Sequence, residues 1–504
     1  MNNQGKKRAF LVLLSLIIQV LITAAISSYL SNYSLKIEIF LRVLSVLLVL
    51  IFLRDSRKIS NNIFWILLFA IFPILGTILF VFLSNNLFSS KLVRNINKNS
   101  NLAKKYLIQD DKVLDELEKE DKSIYTQMKY ISNDAGYPVY NNSIVKYLPT
   151  GEDAYRSILN DIKKAKKYIF LEFFILKKGT MLTSILEALK DKVNEGVEVK
   201  LIYDDVGSLQ YVPDTFDEEL EKIGIQCVCF NELNPVLNLF YNNRDHRKIV
   251  VIDGLVSYTG GINIGDEYIN LQERFGYWKD NAVRIEGEAT WSFTVAFLKM
   301  WNNCRSLSKS INSYKPKYNM KNKNNYIAPY CSNPLKKESV GENVYLNMIN
   351  QATKYIYITT PYLIVDNDMI KAFVMAKKRG VDIKIITPGI PDKPIVYNVT
   401  RSYYKTFLKN GIEIYEYTPG FIHSKIFVID DKVATIGTIN LDYRSLDMHF
   451  ECSLYINDKK VVKNIKDDVD SVIEVSKKVT INNTKNGIFK TIYLSILRLF
   501  APLM

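Results

Sequence analysis

Histidine and cysteine are both scarce in this chain, which has three histidines and five cysteines among 504 residues. The cysteines stand at positions 227, 229, 304, 331 and 452, with neither zinc-site spacing nor that of a thioredoxin-type redox pair. We therefore expect free thiols that take part in packing. No other cluster of cysteines, histidines and carboxylates has metal-ligand spacing, so the sequence predicts no metal site and no cofactor.

Two of the three histidines lie in two copies of one template. Each copy has a histidine, a lysine two positions later, an aspartate five positions after that, a pair of small residues and an asparagine. The first copy is His246, Lys248, Asp253, Gly260, Gly261 and Asn263, and the second is His423, Lys425, Asp430, Gly437, Thr438 and Asn440. Chance would rarely give so scarce a residue the same surroundings twice, so the pattern indicates a duplicated half of an active site.

The residue types of the template indicate phosphodiester chemistry. The apolar, β-branched runs 249–252 and 426–429 predict buried strands. Side chains alternate along a strand, so the histidine and lysine of each copy point the same way, about 7 Å apart. One imidazole can then attack phosphorus while the other donates a proton to the leaving group. The lysines, with the small residues and asparagines, can hold charge on the phosphoryl oxygens without a metal.

The motifs resemble those of the phospholipase D superfamily and, within it, of the bacterial cardiolipin synthases. The resemblance runs from about residue 38 to the end and includes residues 243–248, 260–268, 361–362, 415–423, 441–445 and 498–504. Two positions depart from the family pattern: Val365 stands where proline is usual, and His449 stands where asparagine is usual.

The resemblance implies transfer of a phosphatidyl group from one phosphatidylglycerol to another, through a phosphatidyl-histidine, to give cardiolipin and glycerol. It also implies that Asp280 and Glu451 hydrogen-bond the two histidines, which fits the need to orient an imidazole and stabilise its cation. Three alternatives stay open. They are another phosphatidyltransferase or a phospholipid hydrolase, a nuclease of the same superfamily, and an inactive lipid-binding protein.

The two histidines can be given different roles from their neighbours. Arg244 and Arg247 flank His246, and nearby cations disfavour a protonated imidazole. We therefore expect His246 to be the nucleophile and His423 the general acid, then base. Asp253 and Asp430, although part of the catalytic motifs, lie off the face of His and Lys and should support the site by packing and hydrogen bonds. Glu172, Pro361 and Tyr362 are expected to line it.

Strands alternate with helical patterns in both halves, which predicts an α/β fold. Residues 168–175 of the first half parallel 355–362 of the second, and each is followed by a helix, a glycine and another strand. We expect two phospholipase D-like α/β domains that form one bilobed catalytic unit after an N-terminal transmembrane region. The predicted boundaries are 1–88 for the anchor, 89–122 for a flexible linker, 123–305 for the first domain, 306–325 for a connector and 326–504 for the second domain.

The N-terminal region predicts a multi-pass anchor in the cell membrane. Residues 10–35 carry no charge, residues 63–83 are a second apolar run, and the shorter run 43–53 is a third candidate. A cleaved signal peptide is the competing interpretation, but no small-residue cleavage site is evident. Basic residues at positions 6–8 and 91–105 favour a cytoplasmic catalytic part, whereas those at 54–58 favour the opposite face.

The net charge of +14 suits anionic membrane lipid, the expected partner beside phosphatidylglycerol. The connector is rich in Lys, Asn and Ser, but it is short and isolated, so we expect no nucleic-acid partner. A final helix over residues 488–503 has apolar residues at helical spacing and would lie on a membrane surface or pack on the catalytic body. The sequence leaves the oligomeric state open.

Overall fold

The computed structural model of the protein describes residues 35–54, 59–84, 91–99, 101, 103–233, 242–319 and 325–503, with scattered positions between 10 and 29. Its α-helices are α1 (Leu35–Arg54), α2 (Ile59–Ile71), α3 (Pro73–Ser84), α4 (Lys91–Lys98), α5 (Asp111–Glu120), α6 (Lys122–Asn133), α7 (Gly151–Lys164), α8 (Thr180–Asn194), α9 (Asp205–Ser208), α10 (Phe216–Glu221), α11 (Thr290–Cys304), α12 (Val340–Gln351), α13 (Asn367–Lys378), α14 (Pro394–Lys409), α15 (Lys459–Glu474) and α16 (Ile488–Leu499).

Its strands are β1 (Ser143–Leu148), β2 (Tyr168–Phe173), β3 (Glu198–Asp204), β4 (Gln226–Phe230), β5 (Ile249–Ile252), β6 (Val256–Gly260), β7 (Tyr277–Lys279), β8 (Ala282–Gly287), β9 (Tyr326–Ser332), β10 (Tyr355–Thr359), β11 (Leu363–Ile364), β12 (Asp382–Pro388), β13 (Glu413–Tyr417), β14 (Gly420–Ile422), β15 (Ile426–Ile429), β16 (Val433–Gly437), β17 (Leu441–Asp442), β18 (Glu451–Asn457) and β19 (Ser476–Lys478).

Two large mixed sheets repeat one topology. The first has the order β1-β8-β6-β5-β2-β3-β4, and the second has β9-β18-β16-β15-β10-β12-β13 with β19 added at its edge. In each, the second strand of the half (β2 or β10) is parallel to the β-strand that neighbours it on one side (β3 or β12) and antiparallel to the motif strand on the other (β5 or β15). The structure thus has the α/β architecture and the internal repeat that the sequence predicts.

The two halves pack into one bilobed unit. A single buried cluster contains apolar side chains from both sheets, such as Phe170 and Ile249 from the first and Ile426 and Leu454 from the second. Helix α11 supplies much of the same cluster and is buried along most of its length. Because the halves share this core, their facing sheet edges are held together and can form one site. The five cysteines are all free thiols.

Residues 89–122 differ from the flexible linker that their charge indicates. They contain α4 and α5, and α5 buries Val113, Leu114 and Leu117 in the core of the second lobe. These three residues have the spacing of an amphipathic helix, and the surrounding charges lie on its solvent side. Helix α6 buries its apolar face in the same core, although the predicted boundary at residue 123 places it in the first domain. The domain boundaries themselves stay predictions.

The apolar run at 63–83 is folded back on itself, so a single continuous span there is wrong. Helices α2 and α3 meet at Pro73, and the rings of Trp65 and Phe80, fifteen residues apart, lie 5.4 Å from centroid to centroid. Proline cannot donate the helical hydrogen bond and favours the first turn of a new helix. At Gly76 a Cβ atom would lie 2.9 Å from the Leu68 carbonyl oxygen, so glycine permits the close contact.

No helix within the described part of the chain combines the length and apolar character needed to cross a membrane. The predicted run 43–53 lies within α1, which also carries Lys36, Glu38 and Arg42. Most of residues 10–35, the first charge-free apolar run, falls outside the described residues.

The C-terminal helix α16 packs on the catalytic body with one side and exposes an apolar surface on the other. Leu494 is buried, and the Arg498 guanidinium lies 4.2 Å from the Tyr403 ring centroid on α14, so one side packs on the catalytic body. The other side exposes large apolar residues, among them Ile488 at 71% and Phe489 at 86%.

Candidate active site

Each histidine motif lies just before a central strand of its own sheet. His246 and Lys248 precede β5, and His423 and Lys425 precede β15. Both strands are wholly buried, and the four motif side chains are nearly inaccessible to solvent. Burial lowers the pKa of His246, and the nearby Lys248, Lys425 and His423 lower it further, so the two pairs lie close enough to interact.

Each histidine is oriented by a carboxylate from the opposite lobe. His246 Nδ1 lies 2.9 and 3.0 Å from the two carboxylate oxygens of Glu451, and His423 Nδ1 lies 2.7 Å from Asp280 Oδ2. This places the two carboxylates as the family resemblance implies and adds that the pairs are crossed between lobes. A carboxylate in this place fixes the ring orientation and stabilises an imidazolium.

The crossed pairs follow from short strand contacts between the lobes. Strand β14 runs parallel to β7, with Ile422 opposite Lys279, so the next residues are His423 and Asp280. On the other side an isolated bridge pairs Asp245 with Phe450, so the next residues are His246 and Glu451. Both contacts are backbone hydrogen-bonded, which holds each histidine in register with its carboxylate.

The two lysines sit behind their own histidines. Lys248 Nζ donates a 2.6 Å hydrogen bond to the His246 carbonyl oxygen, and Lys425 donates in the same way to the His423 carbonyl oxygen. Burial lowers the pKa of Lys248 to about 8 and that of Lys425 to about 7. An anionic phosphoryl group beside them would favour the charged ammonium forms.

Both motif imidazoles have pKa values below the usual range, which favours their neutral forms at pH 7. Burial, reinforced by the charge of Lys248, holds the pKa of His246 well below its usual value. Burial and Lys425 lower the pKa of His423 to about 4, against the opposing effect of Asp280. A neutral imidazole is the form that can act as a nucleophile.

The two carboxylates differ in protonation. Burial would raise the pKa of Asp280, but His423 and Lys425 outweigh it and leave that pKa below its usual value. Burial raises the pKa of Glu451 to about 8, although Lys248 and Thr438 favour its ionised form. Thr438 Oγ1 donates to Glu451 Oε2, whereas its counterpart Gly261 has no side chain. A Cβ at Gly261 would lie 2.0 Å from Asp280 Oδ1, so only glycine fits there.

Asp253 and Asp430 bind backbone groups. The Asp253 carboxylate accepts hydrogen bonds of 2.7 to 2.9 Å from the N–H groups of residues 166–168, where β2 begins. Asp430 accepts equivalent bonds from residues 353–355 before β10. Both aspartates have positive φ, 55° and 57°. They therefore tie the end of the motif strand to the start of its neighbour, away from the histidines.

The two motif asparagines are buried but have different partners. Asn263 Oδ1 accepts from the Ile175 N–H at 3.0 Å, and its amide donates to the Tyr268 hydroxyl at 2.8 Å. Asn440 is buried, and its side chain hydrogen-bonds Asp442, whose pKa is raised by burial. Asn263 is thus committed to holding its loop.

The arginines around His246 do not supply the charge that the sequence predicts. Arg244 Nε lies 2.9 Å from Asp204 Oδ2 in a fully buried ion pair. Arg247 forms ion pairs with Asp245 and with Glu172, so Glu172 binds the arginine that follows His246. The expectation that Arg244 and Arg247 keep His246 neutral is therefore wrong, because their charges are matched by these carboxylates. Burial and the lysines depress its pKa instead.

Several contacts of the site were not predicted. Aromatic rings surround the histidines: Phe174 lies 5.0 Å from His246, and Tyr268 and Trp278 lie 5.6 and 5.4 Å from His423. Tyr268 and Trp278 stand within or near the recognised motifs, but no spacing marks Phe174. His449 is buried with its ring 5.6 Å from that of His246. Val365, the other departure, is a core residue of the second lobe.

Two carboxylate-oriented imidazoles and two lysines in one buried site between duplicated α/β lobes define a phospholipase D-type phosphodiester-transfer enzyme. The chain matches the family model "Cardiolipin synthase, PLD-like domain" over residues 158–301 and 345–473. It therefore belongs to the cardiolipin synthase family of the phospholipase D superfamily.

Individual relatives agree with this membership. Cardiolipin synthase 1 of Staphylococcus aureus (strain COL) is 34% identical over 90% of this chain and 94% of its own length. An uncharacterized protein of Streptococcus mutans serotype c is 41% identical over 90% and 99%. The crystal structure of phosphatidylserine synthase from Haemophilus influenzae Rd KW20 has a TM-score of 0.57 at 15% identity, covering 75% of this chain and 97% of that one. That last likeness concerns the fold.

Proposed function

We propose that this protein transfers a phosphatidyl group from one phosphatidylglycerol to a second, releasing glycerol and forming cardiolipin through a phosphatidyl-histidine. The observation that carries the proposal is the pair of imidazoles in one site, each with Nδ1 directed at a carboxylate of the opposite lobe. Nδ1 is thereby engaged, which leaves Nε2 of each ring for the reaction. The names of the curated relatives support the lipid substrates.

In the first step His246 Nε2 attacks the phosphorus of phosphatidylglycerol. A P–N bond forms, the bond from phosphorus to the glycerol oxygen breaks, and His423 donates a proton to that oxygen. His423 must be protonated for this, and the bound phosphodiester anion beside it, together with Asp280, raises its pKa. Lys248 and Lys425 stabilise the charge that builds up on the phosphoryl oxygens.

In the second step the neutral His423 removes the proton from a hydroxyl of another phosphatidylglycerol. The resulting oxygen attacks the phosphatidyl-histidine, the P–N bond breaks, and cardiolipin leaves with His246 restored. Water in place of the second lipid would give phosphatidic acid instead, so the same site with another acceptor is a phospholipase.

The purified full chain, given vesicles containing phosphatidylglycerol with chelator and no nucleotide, should form cardiolipin and glycerol in equal amounts. Mass-spectrometric analysis of the lipids, with a separate glycerol assay, measures both products. A need for cytidine-activated lipid would contradict the proposal, as would loss of activity in chelator that added metal restores. Phosphatidic acid as the main product would make the protein a hydrolase. The His246→Ala, His423→Ala double variant is the control.

We also propose that the protein is held in the cell membrane by its N-terminal segments. Support comes from the charge-free run 10–35 and from α1, whose Phe40 and Ile51 are each 63% exposed. Exposed apolar area of this kind is typical of a surface in contact with lipid or protein. The 3₁₀ turn at Ala501–Leu503, which follows α16, contacts α2, so the end of α16 lies close to the N-terminal helices.

Washing cell membranes with alkaline carbonate tests this attachment, because it removes proteins that only adhere to the surface. We expect the protein to stay with the membranes, and its release would contradict a multi-pass anchor. A Lys105→Cys variant, labelled from outside intact cells and compared with the parent chain, then reports the side. Absence of added label corresponds to the cytoplasmic placement that residues 91–105 favour.

A further inference from the structure

The proposed nucleophile and two neighbouring side chains form a group of which the proposed mechanism does not use His449. His246, His449 and Glu451 are buried, and one donor atom from each lies within 4.8 Å of the other two. Both imidazoles direct Nδ1 toward the same carboxylate oxygen: Glu451 Oε1 is 2.9 Å from His246 Nδ1 and 3.9 Å from His449 Nδ1. The sequence spacing does not reveal this group, because His246 is 205 positions from Glu451.

His449 lacks the hydrogen bonds that a buried imidazole normally makes. It is 9% exposed, and neither of its ring nitrogens has a hydrogen-bond partner within the described residues. Buried polar groups are nearly always paired, and leaving one unpaired costs about 1–3 kcal/mol. The unpaired Nδ1 of His449, 3.9 Å from Glu451 Oε1, therefore points to a missing ligand.

We propose that His246, His449 and Glu451 bind a first-row transition metal ion of the Zn²⁺ class, and that this ion inhibits the enzyme. Two imidazole nitrogens and one carboxylate oxygen are a donor set that zinc accepts, with a fourth position left for water. Aqueous Mg²⁺ and Ca²⁺ prefer oxygen ligands, so they suit this group poorly.

The inhibition follows from where the ion sits. It takes the place of the proton between His246 Nδ1 and Glu451, and that proton is released to solvent. With Nδ1 bound to a cation, the ring has less electron density at Nε2 and loses its carboxylate partner. His246 is then a poor nucleophile, and the ion also occupies space beside the phosphoryl site.

Positive charge near the group limits the affinity. Burial lowers the pKa of His449, and the charges of Arg444 and Lys248 lower it further, so both would oppose a bound cation. We therefore expect weaker binding than at a structural zinc site, in the range of a reversible inhibitor. The proposal does not conflict with metal-independent catalysis, because the ion is absent from the active form.

Cobalt binding to the full chain in detergent tests the site without any activity measurement. Co²⁺ in a nitrogen and oxygen site of low coordination number absorbs visible light, and Zn²⁺ should displace it. We expect one such ion per chain, with affinity reduced at least about tenfold in His449→Asn, which restores the residue usual in the family. Glu451→Gln is the second variant and should lose the same absorption.

The result that overturns the site is a cobalt spectrum and affinity in His449→Asn equal to those of the parent chain. Such a result would place the ion elsewhere, for example on the free cysteines, which both variants retain. Failure of the parent chain to bind cobalt at all would also overturn it.

The inhibitory effect rests on the proposed function and has its own measurement. Zn²⁺ should reduce cardiolipin formation by the parent chain at concentrations at least tenfold below those needed for His449→Asn, with each rate taken relative to its own metal-free rate. Equal sensitivity would overturn the inhibition. A chain that made no cardiolipin would contradict the proposed function while leaving the cobalt titration valid.

Discussion

The two halves of the active site share one plan, yet the carboxylates that orient their histidines are held differently. Asp280, which faces His423, lies against Gly261 and keeps a pKa below its usual value. Glu451, which faces His246, accepts a hydrogen bond from Thr438, and burial raises its pKa to about 8. One half therefore holds a fixed negative charge at pH 7, and the other holds a carboxyl group that is mostly protonated.

This difference suits two different tasks. A histidine that must carry a proton to the leaving group is served by the ionised Asp280, because the carboxylate stabilises the imidazolium. A histidine that attacks as a neutral base needs its carboxylate to hold the proton on Nδ1, and it has no imidazolium to stabilise before the reaction. The comparison thus favours His246 as the nucleophile and His423 as the acid and base, on different grounds from the flanking arginines.

The largest effect should come from removing either histidine, and the trapped intermediate should tell the two apart. We expect His246→Ala and His423→Ala each to reduce turnover by about 10⁴-fold or more. After incubation with labelled phosphatidylglycerol and an alkaline quench, which phosphohistidine survives, label should remain on the His423 variant only. Label on the His246 variant alone would reverse the roles.

Exchange of each carboxylate for its amide should sharpen the contrast. We expect Asp280→Asn to cost about 10⁴-fold at pH 7, because it removes an existing charge. Glu451→Gln should cost only about 10–100-fold there, because Glu451 carries little charge at that pH.

The pH dependence of the rate should also differ between the parent chain and Glu451→Gln. His246 can offer a free Nε2 only when Nδ1 keeps the proton, which requires ionised Glu451. Ionisation of Glu451 should therefore offset the loss of the His423 proton as pH increases toward 8, and the rate of Glu451→Gln, which lacks this gain, should fall more steeply with pH than the parent rate. Equal losses for both amides at every pH would remove the distinction between the halves.

The lysines should give a smaller loss than the histidines, and here the halves should behave alike. Lys248→Ala and Lys425→Ala are each expected to lower turnover about 10²–10³-fold, the usual loss for one preorganised group at a phosphoryl oxygen. Lys432→Ala, at an exposed ion pair with Asp121, is the control for folding and membrane insertion. Near-normal turnover in either test variant would exclude that lysine from the site.

The sequence predicted the features that belong to the repeated motif, and it did not predict those that depend on contacts between distant residues. It identified the two His/Lys/Asp motifs, their strands and the α/β repeat, because these are local patterns. It could not show that Glu451 serves His246, since that pairing depends on the bridge between Asp245 and Phe450. The arginines were misinterpreted for the same reason, because the Asp204 partner of Arg244 lies 40 residues earlier.

The prediction of one span at residues 63–83 is wrong for a different reason, because the residue that breaks the helix is present in the sequence itself. Pro73 stands in the middle of the apolar run that hydropathy predicts to be one span, and a proline inside a helical pattern commonly ends or kinks the helix. Hydropathy alone does not distinguish a straight span from two short helices that pack through Trp65, Phe69 and Phe80.

The exchange of carboxylates between the lobes also constrains how such a site can have arisen. A shorter ancestor with a single motif would have directed its carboxylate at a histidine it did not itself carry. Two such chains related by a two-fold axis would form both histidine–carboxylate pairs, because residues meet reciprocally across such an axis. Fusion of two copies would make that symmetry permanent and leave each copy free to change alone. Gly261 and Thr438, which occupy equivalent positions, are a mark of that later divergence.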